Sequence, residues 1–323
     1  MSPIRSLGNA LSSFRHKFGD TGSGAGPIIP PSSPISVTGG NTSYTYNGKK
    51  IHVWTSPGPF VVTGGPDTLE YFVVAGGGAG GADMGGGGGG GGVLTGELTL
   101  SGPFSTTVTV GPGGSNSPRD SSSPNDSFGN PSVLNNPVST ITSYGGGWGA
   151  NDNDPNPISY PETVGSGGGG YGQSHPRSGA PAPSYPGPAA TQQGTPGYET
   201  APANYGGGGG GAGTTAPPNG FGSQQQDGGY GIAIPSTFRD PSNPYGGPNG
   251  PDQPNLSSPG NWYFAGGGCG GNPNNGNAYA GGGTVSNDGT ASTGSGGGGG
   301  PGSGGGPGGS GGAGIVFVAY TPS

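Results

Sequence analysis

Apolar and polar residues alternate in short runs along the first third of the chain. The runs are rich in Val, Thr and aromatic residues and are bounded by Gly, Pro, Asn or Asp, which is the pattern of half-buried β-strands. Strands are therefore predicted at Tyr44–Tyr46, Ile51–Trp54, Phe60–Val62, Leu69–Ala75, Val93–Leu100 and Thr106–Val110. Together they define a strand-rich region at residues 41–112.

Two runs are apolar without alternation, namely EYFVVA at 70–75 and GIVFVAY at 314–320. A continuous apolar run suits a strand that is covered on both faces. The two runs bracket the glycine-rich part of the chain. We therefore expect them to lie close together, with Val73 near Val316, and we expect residues 314–320 to be the strand that closes the domain.

Between these two runs the chain is dominated by glycine. Glycine supplies 85 of the 323 residues and proline 37, while 26% of residues are hydrophobic and 7% are charged. A globular chain usually has about 45–50% apolar residues, so this chain cannot assemble a conventional core. The blocks richest in glycine are 76–92, 145–149, 165–170, 206–213, 266–271, 281–283 and 296–314.

The glycine blocks are predicted to hold the fold together through their backbone. Helices of the polyproline II type have no internal hydrogen bonds, and without a Cβ they can approach closely and bond one another sideways. Collagen is excluded because no G-X-Y register persists. Flexible linkers or full disorder are the alternatives. The predicted fold class is mainly β and irregular, with short strands combined with packed polyglycine II helices over residues 113–313.

The N-terminal residues show a helical pattern instead. Leu7, Leu11, Phe14 and Phe18 fall on one face of a helix, so residues 1–20 are predicted to form a short amphipathic helix that precedes the β domain. A helix this short is marginal alone and needs a partner surface; a frayed tail is the alternative. Residues 21–40, which are rich in Pro and Gly, are predicted to be a linker.

Composition excludes several classes of protein. No apolar run approaches the ~18–20 residues of a membrane span, so membrane insertion is not expected. The N-terminus lacks the apolar stretch of a secretory signal, and the single cysteine, Cys269, provides no intrachain disulfide framework. Synthesis in the cytoplasm is therefore expected. The acidic net charge of −7 argues against nucleic acid as a partner.

Few residues show the patterns of catalytic or metal sites. None of the three histidines has a partner at metal-ligand spacing, and His52 is expected to be a satisfied residue of a strand. Asp152 and Asp154 resemble the start of a calcium loop, but Pro157 replaces the required glycine, so a solvated acidic turn is the alternative. No cofactor is expected, and no enzyme activity, because no paired carboxylates stand in a strand context.

Aromatic residues recur in or beside the variable segments between the glycine blocks. They are Trp148, Tyr160, Tyr171, Tyr185, Tyr198, Tyr205, Phe238, Tyr245 and Trp262. Aromatic rings among Asn, Ser and Gly are typical of recognition loops, where they can stack on sugars. Alternatively, each ring lies on glycine backbone and replaces part of the missing core. The sequence leaves both interpretations open.

The order of several short segments along the chain resembles a known family. The segments are EYFVVAGGGAGG, GGVLTGELTLSGPF, TVTVGPGG, DGGYGIAIPSTF, WYFAGGGCGGN and GSGGAGIVFVAY. Over residues 50–320 they resemble the glycine-rich domain of virion proteins from marine tailed bacteriophages such as cyanophages and pelagiphages. The long Pro/Tyr/Asn segments 171–205 and 232–262 depart from that pattern.

The resemblance implies a structural protein on the outside of a virion, a tail fibre or fibre-tip adhesin that forms a homo-oligomer. In this role residues 1–20 dock on other virion proteins through the four apolar residues of the helix. The loop aromatics then meet a host-surface glycan or outer-membrane protein. A capsid decoration protein or head fibre without receptor binding is the alternative. A cellular glycine-rich wall protein, a third possibility, would normally carry a secretory signal.

Overall fold

The computed structural model describes most of the chain from residue 33 onward. The described residues are 33–116, 127–151, 163–172, 194–195, 197, 205–213, 226–242, 245–247, 262–271, 276–302 and 306–322. The predicted N-terminal helix, with Leu7, Leu11, Phe14 and Phe18, lies outside these residues. Residues Pro34–Ser323 form one compact unit.

Short strands make up the regular structure of the described residues. They are β1 (Ser33–Gly39), β2 (Thr42–Tyr46), β3 (Lys49–Trp54), β4 (Gly58–Gly65), β5 (Asp67–Val74), β6 (Val93–Leu100), β7 (Phe104–Thr109), β8 (Ser132–Asn135), β9 (Thr140–Ser143), β10 (Ile232–Ala233), β11 (Tyr263–Phe264) and β12 (Ile315–Tyr320). A 3₁₀ turn covers Ser236–Phe238. The predicted fold class, mainly β and irregular, is confirmed.

Ten of the strands form two five-stranded sheets that face each other. The first sheet has the order β1-β4-β7-β8-β9 and the second has the order β2-β3-β12-β5-β6. Their shared interior takes buried residues from both sheets. These include Ile35, Phe60, Val108 and Leu134 from the first sheet and Trp54, Val73, Leu98 and Val316 from the second. The result is a β-sandwich.

The second sheet is covered on both faces. Its other face packs against residues that follow the sandwich in sequence, and a second buried cluster there includes Phe72, Phe238, Phe264 and Phe317. Strand β12 lies between β3 and β5, and Val316 pairs directly with Val73. The prediction that the two continuous apolar runs lie close together is therefore confirmed, and burial on both faces explains why they do not alternate.

Five strands, β1 and β8 to β11, were not predicted from the sequence, and β10 and β11 have only two residues each. Strand β1 lies in residues 21–40, which were predicted to be a linker. Its alternating Ile35 and Val37 are buried in the sandwich, but neighbouring prolines obscure this pattern in the sequence. Strands β8 and β9 have only four residues each, too few for alternation to be evident.

The strands run directly into the glycine blocks, so the sandwich continues into a glycine bundle. The central tract (85–92) lies in the middle of this bundle. The ring tracts around it are 75–83, 144–151, 163–172, 205–213, 265–271 and 294–301. Strand β5 leads into the first ring tract, the central tract leads into β6, and β9 and β11 each lead into a further ring tract.

Candidate functional site

Successive N–H groups of the central tract donate hydrogen bonds to three of the ring tracts in turn. The donor–acceptor pairs, in chain order, are Gly86–Ala150, Gly87–Gly207, Gly88–Gly297, Gly89–Gly147, Gly90–Gly210, Gly91–Gly294 and Gly92–Tyr144, at 2.7–2.9 Å. Every third residue returns to the same neighbour. This is the repeat of a helix with three residues per turn, as in the polyproline II conformation.

The carbonyl groups of the central tract accept hydrogen bonds from the other three ring tracts. The donor–acceptor pairs are Ala75–Gly92, Gly78–Gly89, Gly81–Gly86, Ser166–Gly90, Gly169–Gly87, Gly268–Gly88 and Gly271–Gly85, at 2.8–3.1 Å. The central tract is thus bonded to all six ring tracts. The tract is buried, and the polar groups in these pairs are satisfied by other backbone groups, as burial requires.

Neighbouring ring tracts also bond to each other, so that the ring is closed. One donor–acceptor pair from each contact is Gly146–Gly76, Gly147–Ser166, Gly207–Gly170, Gly209–Gly268, Gly296–Gly266 and Gly297–Gly78, at 2.8–3.0 Å. The prediction of packed polyglycine II helices is confirmed for the central tract and the six ring tracts. The alternative, that the glycine blocks are flexible linkers, is wrong for these tracts.

Close approach of the backbones explains why the central tract contains only glycine. A Cβ on Gly86 would lie 2.0 Å from the carbonyl oxygen of Gly169, and one on Gly88 would lie 2.1 Å from that of Gly78. Both oxygens belong to backbone that is itself hydrogen-bonded on several sides. A side chain therefore cannot be accommodated by a small local shift.

One end of the bundle, the bundle pole, lies on the side away from the sheets. The first ring tract leaves the sheet at Val74 and the central tract returns to it at Val93, so the turn between them lies at this pole. The bonds from Gly271 to Gly85 and from Gly300 to Gly81 bring other tract ends there. The tract ends at the bundle pole are Asn151, Gly172, Tyr205, Gly271 and Pro301. Eight residues at about 3.1 Å each make the central tract roughly 25 Å long.

The opposite end of the molecule, the sandwich pole, holds the start of β1 and the end of β12. Strand β12 begins beside the bundle and ends at Tyr320, which pairs with Lys50 near the turn between β2 and β3. Strand β1 runs antiparallel to β4, because the Thr63 hydroxyl donates to the Ser36 carbonyl at 3.4 Å and Gly39 lies against Pro59. The chain therefore enters and leaves the sandwich at this pole.

Three of the aromatic residues predicted to contact a host surface are buried. Trp148 and Tyr171 are 4% exposed and Phe238 is 2% exposed. Trp148 makes an edge-to-face contact with Phe128 at 4.4 Å between ring centroids, and Phe238 packs 5.6 Å from Phe317. For these three residues the interpretation as surface contacts is wrong. They fill space that glycine, which has no side chain, leaves open.

The other described candidates are half-buried. The Tyr245 hydroxyl is 2.8 Å from the Thr42 hydroxyl, and both Tyr245 and Trp262 pack against the second buried cluster. Tyr205 lies at the bundle pole with its side chain partly accessible. The remaining candidates, Tyr160, Tyr185 and Tyr198, and the calcium candidates Asp152 and Asp154, lie outside the described residues.

Cys269 and His52 are among the buried ionisable groups of the described residues. Cys269, in a ring tract, has no disulfide partner, and burial raises its pKa to about 12, so it is held as a thiol. His52 donates from Nδ1 to the Gly39 carbonyl oxygen at 2.8 Å, whereas its Nε2 is buried and lacks a hydrogen-bond partner. The expectation of a satisfied histidine in a strand is thus met at one ring nitrogen only.

The described residues contain neither a metal cluster nor a membrane helix. No group of three or more His, Cys, Asp or Glu side chains within them is arranged to hold a metal ion. Likewise, none of their helical segments has the length and apolar character to cross a bilayer.

Most of the chain matches a known protein family. A family model described as a glycine-rich domain matches residues 55–321, which include strands β4 to β12 and the whole described bundle. No curated protein matches the chain. The matched part covers most of the chain and ends with the strand that closes the second sheet. The chain therefore belongs to the glycine-rich domain family.

Proposed function

We propose that the chain is a structural subunit of a bacteriophage appendage, a tail fibre or fibre tip that presents loops to the host surface. The observation that carries this proposal is the division of the molecule into two poles. The chain enters at the sandwich pole, where β1 begins, and segments between glycine tracts join the fold at the bundle pole. Such a body separates an attachment end from a presenting end.

The bundle suits a rigid spacer between these two ends. Each described ring tract bonds both to the central tract and to its neighbours, so bending one tract strains bonds on several sides. In this proposal residues 1–20 dock on another virion protein through Leu7, Leu11, Phe14 and Phe18. Several copies assemble on one particle.

Recognition in this proposal belongs to the bundle pole. Tyr205 lies there. The segments that contain Tyr160, Tyr185 and Tyr198 each have one end at this pole, next to Asn151, Gly172 and Tyr205 respectively. Aromatic rings next to Asn, Ser and Gly provide rigid contact area with adaptable hydrogen bonding. The ligand is then a glycan or an outer-membrane protein of the host. The proposal includes no catalytic step, cofactor or nucleic acid.

Particles assembled with variant chains test the two roles separately. Deletion of residues 1–20 is expected to remove the chain from particles, while replacement of Tyr160, Tyr185 and Tyr198 by Ala is expected to leave incorporation intact and reduce adsorption at least tenfold. Particles that retain the deleted chain would contradict the docking role, and unchanged adsorption would contradict the recognition role.

Immunogold labelling decides where the chain sits on the particle. We expect gold on the tail or its fibres. Gold on the capsid together with unchanged adsorption would instead support a capsid decoration protein or head fibre. Unlabelled particles would overturn both assignments.

A further inference from the structure

The chain crosses from the first sheet to the second through a corner at residues 39–41. Gly39 and Gly40 have φ angles of 116° and 89° there, which favour glycine. The Asn41 N–H donates to the Val53 carbonyl at 2.7 Å, and its side-chain oxygen accepts from the N–H groups of Thr55 and Ser56 at 2.7 and 3.1 Å. The corner is thus fastened to the end of β3.

His52 lies beneath this corner, in the interior of the sandwich. It is 4% exposed, and its Nδ1 donates to the Gly39 carbonyl at 2.8 Å. Its ring centroid is 6.1 Å from those of Trp54 and Tyr320. Because the carbonyl requires a donor, Nδ1 carries the proton, and the unpartnered Nε2 is the basic nitrogen. The fold therefore accommodates the neutral ring.

We propose that His52 is a pH-sensitive latch that holds the corner, and with it strand β1, against the second sheet at neutral pH and releases it in acid. A second proton would have to enter at Nε2, which is buried and has no acceptor within reach. A charged group buried in this way is costly unless it is paired. Opening of the corner lets water reach the ring and removes that cost.

The groups around His52 favour release on protonation. Lys50 on the same strand repels an added positive charge. Strand β12 contributes the Tyr320 ring, β2 places Ser43 opposite His52, and β1 offers the Gly39 carbonyl, to which Nδ1 already donates. Burial lowers the pKa of His52 below its usual range.

The direction of the pH effect follows from this lowered pKa. In the unfolded chain His52 titrates near its ordinary pKa of about 6.5, so in mild acid the unfolded or opened state binds more protons than the closed state. The stabilisation is complete above about pH 6.5 and is lost as the pH falls through the lowered pKa of the closed state. The latch does not depend on the proposed function; in an appendage it would loosen the strand that joins the body to its attachment segment.

Proton titration of the full chain by NMR, combined with amide exchange, tests the latch. The His52 ring is expected to titrate at least one pH unit below the other two histidines. Between pH 7.5 and 5, after correction for intrinsic exchange, the amides of Asn41, Thr55 and Ser56 are expected to lose protection at least tenfold more than that of Gly88. A His52 pKa at or above 6.5 would overturn the proposal.

Two variants make the test specific. His52→Asn keeps a donor at the position of Nδ1 but cannot be protonated, and it is expected to keep the corner protected down to pH 5. His175→Asn is the matched control and is expected to respond to acid like the natural chain. An unchanged acid response in His52→Asn would contradict the proposal, and if that variant does not fold, the titration of the natural chain decides.

Discussion

At the scale of single residues, the bundle depends on the absence of side chains at its centre. Gly88→Ala would place a Cβ 2.1 Å from the carbonyl oxygen of Gly78, and overpacking against backbone that cannot relax costs about 3 kcal/mol, the upper part of the usual range. We expect the free energy of unfolding, measured in urea, to fall by this amount. Gly102→Ala is the control, because its Cβ would meet no atom within 4 Å, and equal losses in both variants would contradict this reason.

Phe238 tests whether a buried aromatic residue serves packing alone. Its ring contacts Phe72 and Phe317, so Phe238→Ala is expected to lower the free energy of unfolding by about 3–5 kcal/mol. Val138→Ala, at a side chain that is 66% exposed, is expected to change it by less than about 0.5 kcal/mol. Both can be measured by urea denaturation. A loss below 1 kcal/mol in Phe238→Ala would show that the ring is not part of the core.

The buried aromatic residues show what the sequence could not predict at this scale, namely the direction in which each ring points. Position beside a variable segment was the reason for assigning Trp148, Tyr171 and Phe238 to a host-facing surface. Sequence position does not reveal the direction of a ring, which depends on the register of neighbouring tracts. Phe128, the partner of Trp148, lies in a different segment of the chain. The alternative interpretation, rings as substitute core, holds for these three.

At the scale of elements, the strands were predictable in proportion to their apolar length. The buried β5 and β12 were identified because an unbroken apolar run needs cover on both faces. The glycine tracts were predictable as a class, since nothing else in the sequence could satisfy so much backbone. Which tract lies at the centre was not predictable, because the glycine blocks have no side chains that distinguish them. The position of each tract depends on its length and on the strands that flank it.

The three-residue repeat of the central tract makes a specific prediction about insertions. One glycine inserted between Gly88 and Gly89 turns residues 85–88 by a third of a turn, so that their N–H and C=O groups face the wrong ring tracts. Three inserted glycines add one full turn, so every N–H and C=O group keeps its direction. Residues 85–88 then move along the axis by one turn towards the bundle pole. We expect the single insertion to lower the free energy of unfolding by several kcal/mol, at about 1 kcal/mol for each lost hydrogen bond.

The matched comparison for that prediction is the pair of insertions itself. The triple insertion is expected to retain most of the stability and of the amide protection in the central tract, although it changes the length more. Thermal unfolding and hydrogen exchange measure both. If the triple insertion lowered stability as much as the single insertion, or more, the stability of the bundle would depend on tract length and not on angular register.

At the scale of the whole molecule, the sandwich and the bundle are completed by the same late segment. Residues 306–314 bond to the ring tract 75–83 through pairs such as Gly77–Gly312 and Gly80–Gly309. They lead into β12, which fills the middle of the second sheet. Neither body is complete until the last residues are in place. The two are therefore expected to fold as one cooperative unit, with the apolar edges of β3 and β5 open beforehand.

Truncation of the C-terminus tests this cooperativity. A chain ending at Gly314 lacks β12, whose six residues are all buried, and leaves β3 and β5 without their shared partner. We expect fast amide exchange in the sandwich and also in the central tract, which β12 does not touch through any described backbone hydrogen bond. A chain ending at Tyr320 loses only three residues, of which Thr321 and Pro322 are exposed, and is expected to match the full chain. If the amides of Gly86–Gly92 stayed protected in the shorter variant, the bundle would be an independent folding unit. It would then fold without the complete second sheet.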